Sequence, residues 1–465
     1  MTCTPCQTTH GDERDERILD LLCRLVSINT EHAEAAEGAP FGEGCARALA
    51  LVLDECAARG FSVERVNDMI GWAQVGTAGP LVGFPVHLDV VLAGDGWSRD
   101  PFTATIVDGV LYGRGVMDNK ISAAILIELL DELKAREAEL PCRFRIIFGT
   151  DEESGMGDMR SYLAAGGEQP EMGFVPDAAF PVINGEKAQA HIVLTHAVGL
   201  PEGVEISGGT MSNVVPFDAS ARVSLEFVDA DAEARAGMLP VEASASDGVL
   251  AISASGRSAH ASTPQKGENA IAKLVNAVVS LLPEEAAAGC EALCDVARCL
   301  CADTDGTALG IDCDDDVFGG TTVNLGTLSA DVDGVTVDLD IRYGRGIDEG
   351  QIVDSISSAL GDAWTCEVVG GKPVHLVDEG DACVRALLGA YERVTGLPGS
   401  CSVMGGGTYA SLLPALVAFG PKFPDTHCGA HGVDEHVSLE NIVRATDVYR
   451  EALQAIIALA AKEEE

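Results

Sequence analysis

The sequence predicts an α/β fold, a mixed, largely parallel sheet flanked by helices, interrupted by an inserted α+β domain. Three observations carry this expectation. Short apolar runs alternate with helical patterns over the first 190 residues and again after about residue 370. Between about His191 and Gly370 the texture changes to the period-two alternation of half-exposed strands. The length, 465 residues, also exceeds what one hydrophobic core usually serves. The expected division is 1–190 and 371–465 as two parts of one domain, with 191–370 as the insertion.

The elements follow in chain order. Glu13–Val26 and 44–59 have helical apolar spacing, with Ile18, Leu21, Leu22 and Leu25 on one stripe. Residues 81–86 form an apolar run that reads as a buried strand ending at His87. A strong helical pattern spans 121–133, and 144–148 reads as a strand stopping just before Asp151-Glu152-Glu153. Residues 173–175 lead into Asp177, and 415–419 precede the loop that carries His431. Inside the insertion, Val193-Leu194, 221–227, 249–253 and 335–341 alternate like strands, with helical segments at 269–282 and 350–360. Candidate ligands therefore sit just beyond the C-terminal ends of buried strands, where loops converge in open α/β sheets.

Composition excludes several functions. A formal charge of −43 argues against nucleic acid or an anionic membrane as partner, since both would repel it. No apolar stretch is long enough to span a bilayer, and the first residues lack the basic and apolar regions of a signal peptide. The expectation is a soluble, cytoplasmic protein with a solvated acidic surface. In that compartment the 15 cysteines read as reduced, small buried residues rather than a disulfide framework. Cys3-Thr4-Pro5-Cys6 has redox-motif spacing but is not at a strand-to-helix turn. Cys290, Cys294, Cys299, Cys301 and Cys313 match no familiar zinc spacing. The acidic stretch 303–316 lacks the spacing of a calcium loop.

The chemistry concentrates in five places. His87 and Asp89, two apart at a strand end, leave on the same side, so Asp89 can fix the imidazole tautomer for metal binding. Alone, such a pair is equally an ordinary buried hydrogen bond. Asp118, in a glycine-flanked loop before a helix, is an N-cap candidate, and its two oxygens could equally bridge two cations. Glu152 and Glu153 are adjacent carboxylates, of which one can bind metal while the other takes a proton from water. Asp177 would complete a shell, and of His427, His431 and His436 only His431 has an Ala-His-x-x-Asp-Glu context. Two histidines with several carboxylates suit zinc, manganese or cobalt. His10, His32, His191, His196 and His375 have no such context and read as structural.

These residues carry a resemblance. His87-Leu88-Asp89-Val90-Val91, Gly94-Asp95-Gly96-Trp97, Asp100-Pro101-Phe102 and Leu111-Tyr112-Gly113-Arg114-Gly115 before Asp118 resemble the co-catalytic metallohydrolases. That family includes acetylornithine deacetylase, succinyl-diaminopimelate desuccinylase, aminoacylase, carboxypeptidase G and aminotripeptidase, and the likeness covers nearly the whole chain. Pro176-Asp177-Ala178-Ala179-Phe180-Pro181, Leu309-Gly310-Ile311, Thr322-Val323-Asn324-Leu325-Gly326 and Asp340-Ile341-Arg342-Tyr343 are most similar to the peptidase V group of Xaa-His (carnosinase-like) dipeptidases.

The resemblance implies a catalytic α/β domain with an inserted α+β lid, and a dipeptidase using water activated by two divalent ions. Zinc is the first expectation, with manganese or cobalt as alternatives. It implies His87 and Asp177 on one ion, Glu153 and His431 on the other, and Asp118 bridging them. Asp89 would orient His87, and Glu152 would be the general base and acid. His260 would stabilise the oxyanion from the lid, where Asn213 and Arg342 would grip the substrate carboxylate. Gly405-Gly406-Gly407-Thr408-Tyr409 resembles the backbone loop lining the substrate site. One departure is Ile121, where the family usually has glycine, with a small backbone adjustment expected. The expected partner is a small peptide, with neither nucleic acid nor membrane, and the expected state is a catalytically complete monomer, a dimer staying open. An N-acyl amino acid deacylase is the alternative, and a binding protein on an inactive peptidase fold is the weakest reading.

Overall fold

A computed structural model of the chain describes residues 13–463, which leaves Cys3, Cys6 and His10 outside the described residues. The chain forms two compact units, one of Met1–Gly185, His375–Ser402 and Gly407–Glu465, the other of Glu186–Val374 and Val403–Gly406.

The first unit is built on a nine-stranded mixed sheet. Its order begins Ser62–Val66, Ile70–Val75, Arg143–Gly149, Leu81–His87, Met172–Val175, Val417–Ala418 and Val182–Glu186. The central four strands, Arg143–Gly149 through Val417–Ala418, run parallel, and antiparallel pairs flank them. Parallel strands buried on both faces need continuous apolar runs, and Leu81–His87 is buried at every position.

Helices Glu13–Val26, Glu43–Ala58, Lys120–Lys134, Ala382–Thr395 and Leu439–Glu463 cover this sheet. Lys120–Lys134 packs against Glu13–Val26, Leu439–Glu463 and the strands, which is why it is apolar almost all round. Its one buried acid, Glu128, is compensated by Arg17 at 2.8 Å and Arg59 at 2.6 Å. Edge-to-face contacts of Phe84, Phe174 and Phe419 fill the centre.

The second unit is built on an eight-stranded antiparallel sheet. Its order is Glu242–Ser246, Val249–Ser255, Asp218–Ser224, Val204–Gly208, Thr322–Asp331, Gly334–Tyr343, Ala188–His196 and Trp364–Lys372. One face packs on helices Ala270–Leu281 and Glu349–Leu360 to form a separate core. Both helices start on side-chain caps: Asn269 accepts from Ala272 N at 3.1 Å, and Asp348 with Gln351 forms a capping box. The strand expected over 221–227 ends instead at Ser224, where the amide of Phe227 donates to Ser224 O and turns the chain. Leu225, read as an alternating strand residue, is 40% exposed in that turn.

Among the described residues no helix is long and apolar enough to cross a membrane.

Candidate metal centre

Each side chain of the centre is delivered by the end of a strand or by a loop tied to one. His87 is the last residue of its strand and lies opposite Gly149, the last residue of Arg143–Gly149. Asp89 follows His87, Glu152 and Glu153 follow Gly149, and Asp177 follows Met172–Val175. Asp118 ends the loop before helix Lys120–Lys134. The N-cap of that helix is Asn119, not Asp118, and it makes no side-chain cap. The Asp118 carboxylate is turned instead toward two imidazoles. Ile121 is buried in the first helical turn, and the carboxylate keeps its place.

One Asp118 oxygen, Oδ1, lies 3.0 Å from His87 Nε2, and the other, Oδ2, lies 3.0 Å from His431 Nε2. His87 Nε2 also faces Asp177 Oδ1 at 3.5 Å, and His431 Nε2 faces Glu153 Oε1 at 3.2 Å. Ligand atoms of His87, Glu152 and Asp177 fall within 4.8 Å of one another, as do those of His87, Asp118 and Glu153. The structure thus brings His87, Asp118, Glu152, Glu153, Asp177 and His431 into one cluster. His427 and His436 stack on each other, and His436 Nδ1 pairs with Asp434 O.

Asp89 acts differently from a plain carboxylate–imidazole pair. The His87 Nδ1 is 3.0 Å from the Asp89 backbone carbonyl, closer than the 3.5 Å to Asp89 Oδ1. A carbonyl can only accept, so Nδ1 carries the proton and Nε2 presents its lone pair to the cluster. The Asp89 carboxylate accepts from the amide of Glu153 through Oδ2 at 3.0 Å, fixing the turn that carries both glutamates.

The electrostatics of the cluster call for cations. Four carboxylates, Asp118, Glu152, Glu153 and Asp177, converge on two histidines, and buried Asp89 Oδ1 and Glu152 Oε1 have no hydrogen-bond partner. Burial, with the Asp177 charge, pushes Glu152 well above the usual carboxylate range. Burial also raises Asp177, to about 7, despite the counteracting His87, and raises Glu153. Burial would lower both histidines, but the carboxylates outweigh it: His87 is raised by Asp177 and Asp118, and His431, 48% exposed, rises to about 11 beside Asp118 and Glu153. Burial opposes Asp118 ionisation, yet the two imidazoles hold its carboxyl below the usual range. Carboxylates this close ionise together only beside added positive charge. Mixed nitrogen and oxygen donors at these separations fit divalent cations of the zinc, manganese and cobalt type.

Two supporting groups escaped the sequence reading. Asp158, fully buried, accepts from the amides of Thr150 and Asp151 and from Tyr409 Oη at 2.6 Å, bracing the strand end before Glu152. That brace needs Gly149, whose added Cβ would sit 1.9 Å from Tyr409 Oη and 2.5 Å from Asp158 Oδ2. Glu435, also fully buried, accepts from the amides of Met117 at 2.9 Å, Asp118 at 3.1 Å and Gly115 at 3.0 Å. It accepts as well from Arg114 Nη1 at 2.7 Å. Its place as the glutamate of the Ala-His-x-x-Asp-Glu context of His431 was its only sequence signal.

The remaining predicted residues lie on the second unit. His260 Nδ1 accepts from the Ser262 amide at 3.1 Å and lies 2.7 Å from Ser262 Oγ, which puts the neutral ring's proton on Nε2. The Ala261 amide donates to Asn213 O at 2.9 Å, and Val214 and His260 form an isolated bridge, so Asn213 and His260 share one turn of structure. Asn213 Oδ1 is buried and unpartnered. Buried Asn324 donates to Ser212 O at 2.7 Å and Val214 O at 3.0 Å, and pairs across the sheet with Asp340. Arg342 donates to Asp340 through Nε at 2.5 Å and Nη2 at 2.9 Å, and to Gly405 O through Nη1 at 3.1 Å. Asp340 is two residues earlier on the same strand, a partner that strand periodicity could have revealed.

The sequence profile "Peptidase family M20/M25/M40" matches residues 83–455. A protein of Bacillus subtilis (strain 168) named "Putative dipeptidase YtjP" is 33% identical over 442 residues, 92% of this chain and 94% of that protein. Human carnosine dipeptidase 1 superposes with a TM-score of 0.59 at 16% identity, covering 96% of this chain and 97% of the other. The metallo-carboxypeptidase Sso-CP2 from Sulfolobus solfataricus gives 0.62 at 15% identity, covering 96% and 100%. At these identities the two superpositions establish the fold.

Proposed function

The chain belongs to peptidase family M20/M25/M40, and from that premise we propose that it is a metal-dependent dipeptidase acting on short peptides with a free C-terminal carboxylate. The observation that carries the reading is the Asp118 carboxylate, which gives one oxygen to each of two histidines that each face a further carboxylate. The dipeptidase name of the Bacillus subtilis relative supports the substrate class.

In this reading His87 and Asp177 would hold one ion, Glu153 and His431 the other, and Asp118 would be shared between them. Zinc is our first assignment, and manganese and cobalt suit the same donors. Such ions, when bound, polarise a carbonyl and acidify water. The other steps belong to the chain. Glu152 offers a buried carboxylate oxygen without a partner. It takes the proton of the attacking water and delivers it to the leaving amine. The Asp89 carbonyl keeps His87 in the tautomer that leaves Nε2 for the metal. His260, with its proton on Nε2, donates to the developing oxyanion, a contribution on the order of 3–4 kcal/mol for one well-placed donor.

Asn213 and Arg342 receive the substrate carboxylate. Three of the five N–H groups of Arg342 are engaged by Asp340 and Gly405, and a guanidinium so fixed presents its remaining donors in one orientation. A longer peptide would bring a neutral amide to that position, which accounts for selection of short substrates. We take a monomer to be the catalytically complete state, with His260 and the metal ligands supplied by one chain.

Glu152→Gln tests the proton-transfer role. It is expected to keep both ions while turnover falls roughly 10²–10⁴-fold. Near-normal turnover with both ions retained contradicts the assignment.

A further inference from the structure

Glu435 lies four residues beyond His431, and its carboxylate does not face the cluster. It closes on the loop that presents Asp118. Oε1 accepts from the amides of Met117 and Asp118, and Oε2 accepts from the amide of Gly115 and from Arg114. Arg114 returns the connection, donating Nη2 to Gly432 O at 3.0 Å, one residue from His431, and to Leu92 O at 3.3 Å. The backbone adds a further tie, Gly113 N to Glu435 O at 3.1 Å. Arg114 and Glu435 are 1% and 0% exposed, so water does not replace these bonds.

The two halves of the cluster are therefore built differently. His87 sits at the end of a strand paired on both sides. His431 sits at φ 62° in a loop outside any strand or helix, and Asp118 lies in another such loop. The strands beside these loops do pair, His436 with Tyr112 and Ser438 with Val110, but neither His431 nor Asp118 is itself in a sheet, and the 3.0 Å between His431 Nε2 and Asp118 Oδ2 is set beyond the end of that pairing.

We propose that Glu435 and Arg114 are positioning residues that lock the His431 loop onto the Asp118 loop and so set the affinity of the metal site that His431 helps to form. The proposal rests on the two-ion reading above. Glu435→Gln keeps the size of the side chain but turns an amide NH₂ toward donors at one end, either Gly115 and Arg114 or Met117 and Asp118. Arg114→Lys keeps a cation beside Glu435 and loses the forked contacts to Gly432 and Leu92.

The test is competition titration of metal-stripped wild type, Glu435→Gln and Arg114→Lys with zinc against a chromophoric chelator, alongside thermal unfolding of the metal-free proteins. The expected result is the His431 site about 10–100-fold weaker in Glu435→Gln, as for other groups that orient metal ligands, with the second site, which shares Asp118 but not His431, weakened clearly less. Arg114→Lys should show a smaller loss at the same site, and it decides the matter if Glu435→Gln does not fold. Lower thermal stability with both affinities unchanged, or equal weakening of both sites, overturns the proposal. Wild type that binds fewer than two ions removes the two-ion reading and this inference with it, whereas two ions bound equally tightly by wild type and variants removes the inference alone.

Discussion

The Nε2 atom of His431 lies 3.0 Å from Oδ2 of Asp118, on the side of that carboxylate opposite His87. A single side chain thus joins a ligand from a strand end to a ligand from a loop. Asp118→Asn leaves one oxygen and replaces the other with a donor. Metal affinity should fall by at least about 100-fold, the upper end of what even outer groups contribute. The metal-free variant should also be less stable at neutral pH. Asp118 is ionised in the fold and paired with two imidazoles, a contribution present above the ordinary carboxylate pKa and lost only as pH falls below it. Metal content by elemental analysis and urea unfolding check both statements.

The same cluster sets a pH dependence with a definite sign. Glu152, Glu153, Asp177, His87 and His431 are all raised in the fold, Asp177 to about 7 and His431 to about 11. Unfolded carboxyls titrate near about 4 and imidazoles near about 6.5. The folded, metal-free protein therefore holds protons that the unfolded chain has released. That stability is fully present below the unfolded values and is lost as pH rises through the folded ones. Metal-free protein should lose stability as pH rises from about 4, through Asp177 at about 7 and on toward His431 at about 11, each proton of difference contributing about 1.4 kcal/mol per pH unit. Metal binding near neutrality should release more than one proton per chain. Calorimetric titration in two buffers of different protonation enthalpy measures the release, and none at all contradicts the charge assignment.

Gly149 is constrained by approach rather than by backbone angle. A Cβ there meets Tyr409 Oη and Asp158 Oδ2, both fully buried, so neither can retreat. Gly149→Ala should cost about 1–3 kcal/mol in urea unfolding, the usual range for overpacking. It should also lower turnover, because Glu152 and Glu153 follow directly on the displaced strand end.

The second unit is tested through His260. His260→Ala should leave metal affinity unchanged and reduce kcat by roughly 10²–10³, as for removal of one oxyanion donor. A change confined to KM would assign the ring to substrate binding instead.

Much of this was legible in the chain. Apolar runs ending in His87, in Glu152-Glu153 and in Asp177 mark buried parallel strands, because such strands must be apolar on both faces and polar only where they emerge. The helix at Glu13–Val26 is found where its apolar stripe lies. What was missed depends on contacts between distant loops. Glu435 and the residue it serves, Asp118, are more than 300 residues apart, and no local pattern links them. Asn119 takes the cap position because Asp118 is drawn to the imidazoles, a tertiary choice over a local one. The turn at 225–227 breaks an alternation that nothing in the local sequence interrupts.

The most direct test of the account is hydrolysis of a matched panel of dipeptides, tripeptides and N-acyl amino acids by metal-stripped protein, with zinc, manganese or cobalt restored in turn. Cleavage of dipeptides above all others is expected, absent without metal and restored by it. Metal-restored activity confined to N-acyl amino acids would contradict the substrate class, and dipeptide cleavage that persists after complete removal of metal would contradict the mechanism.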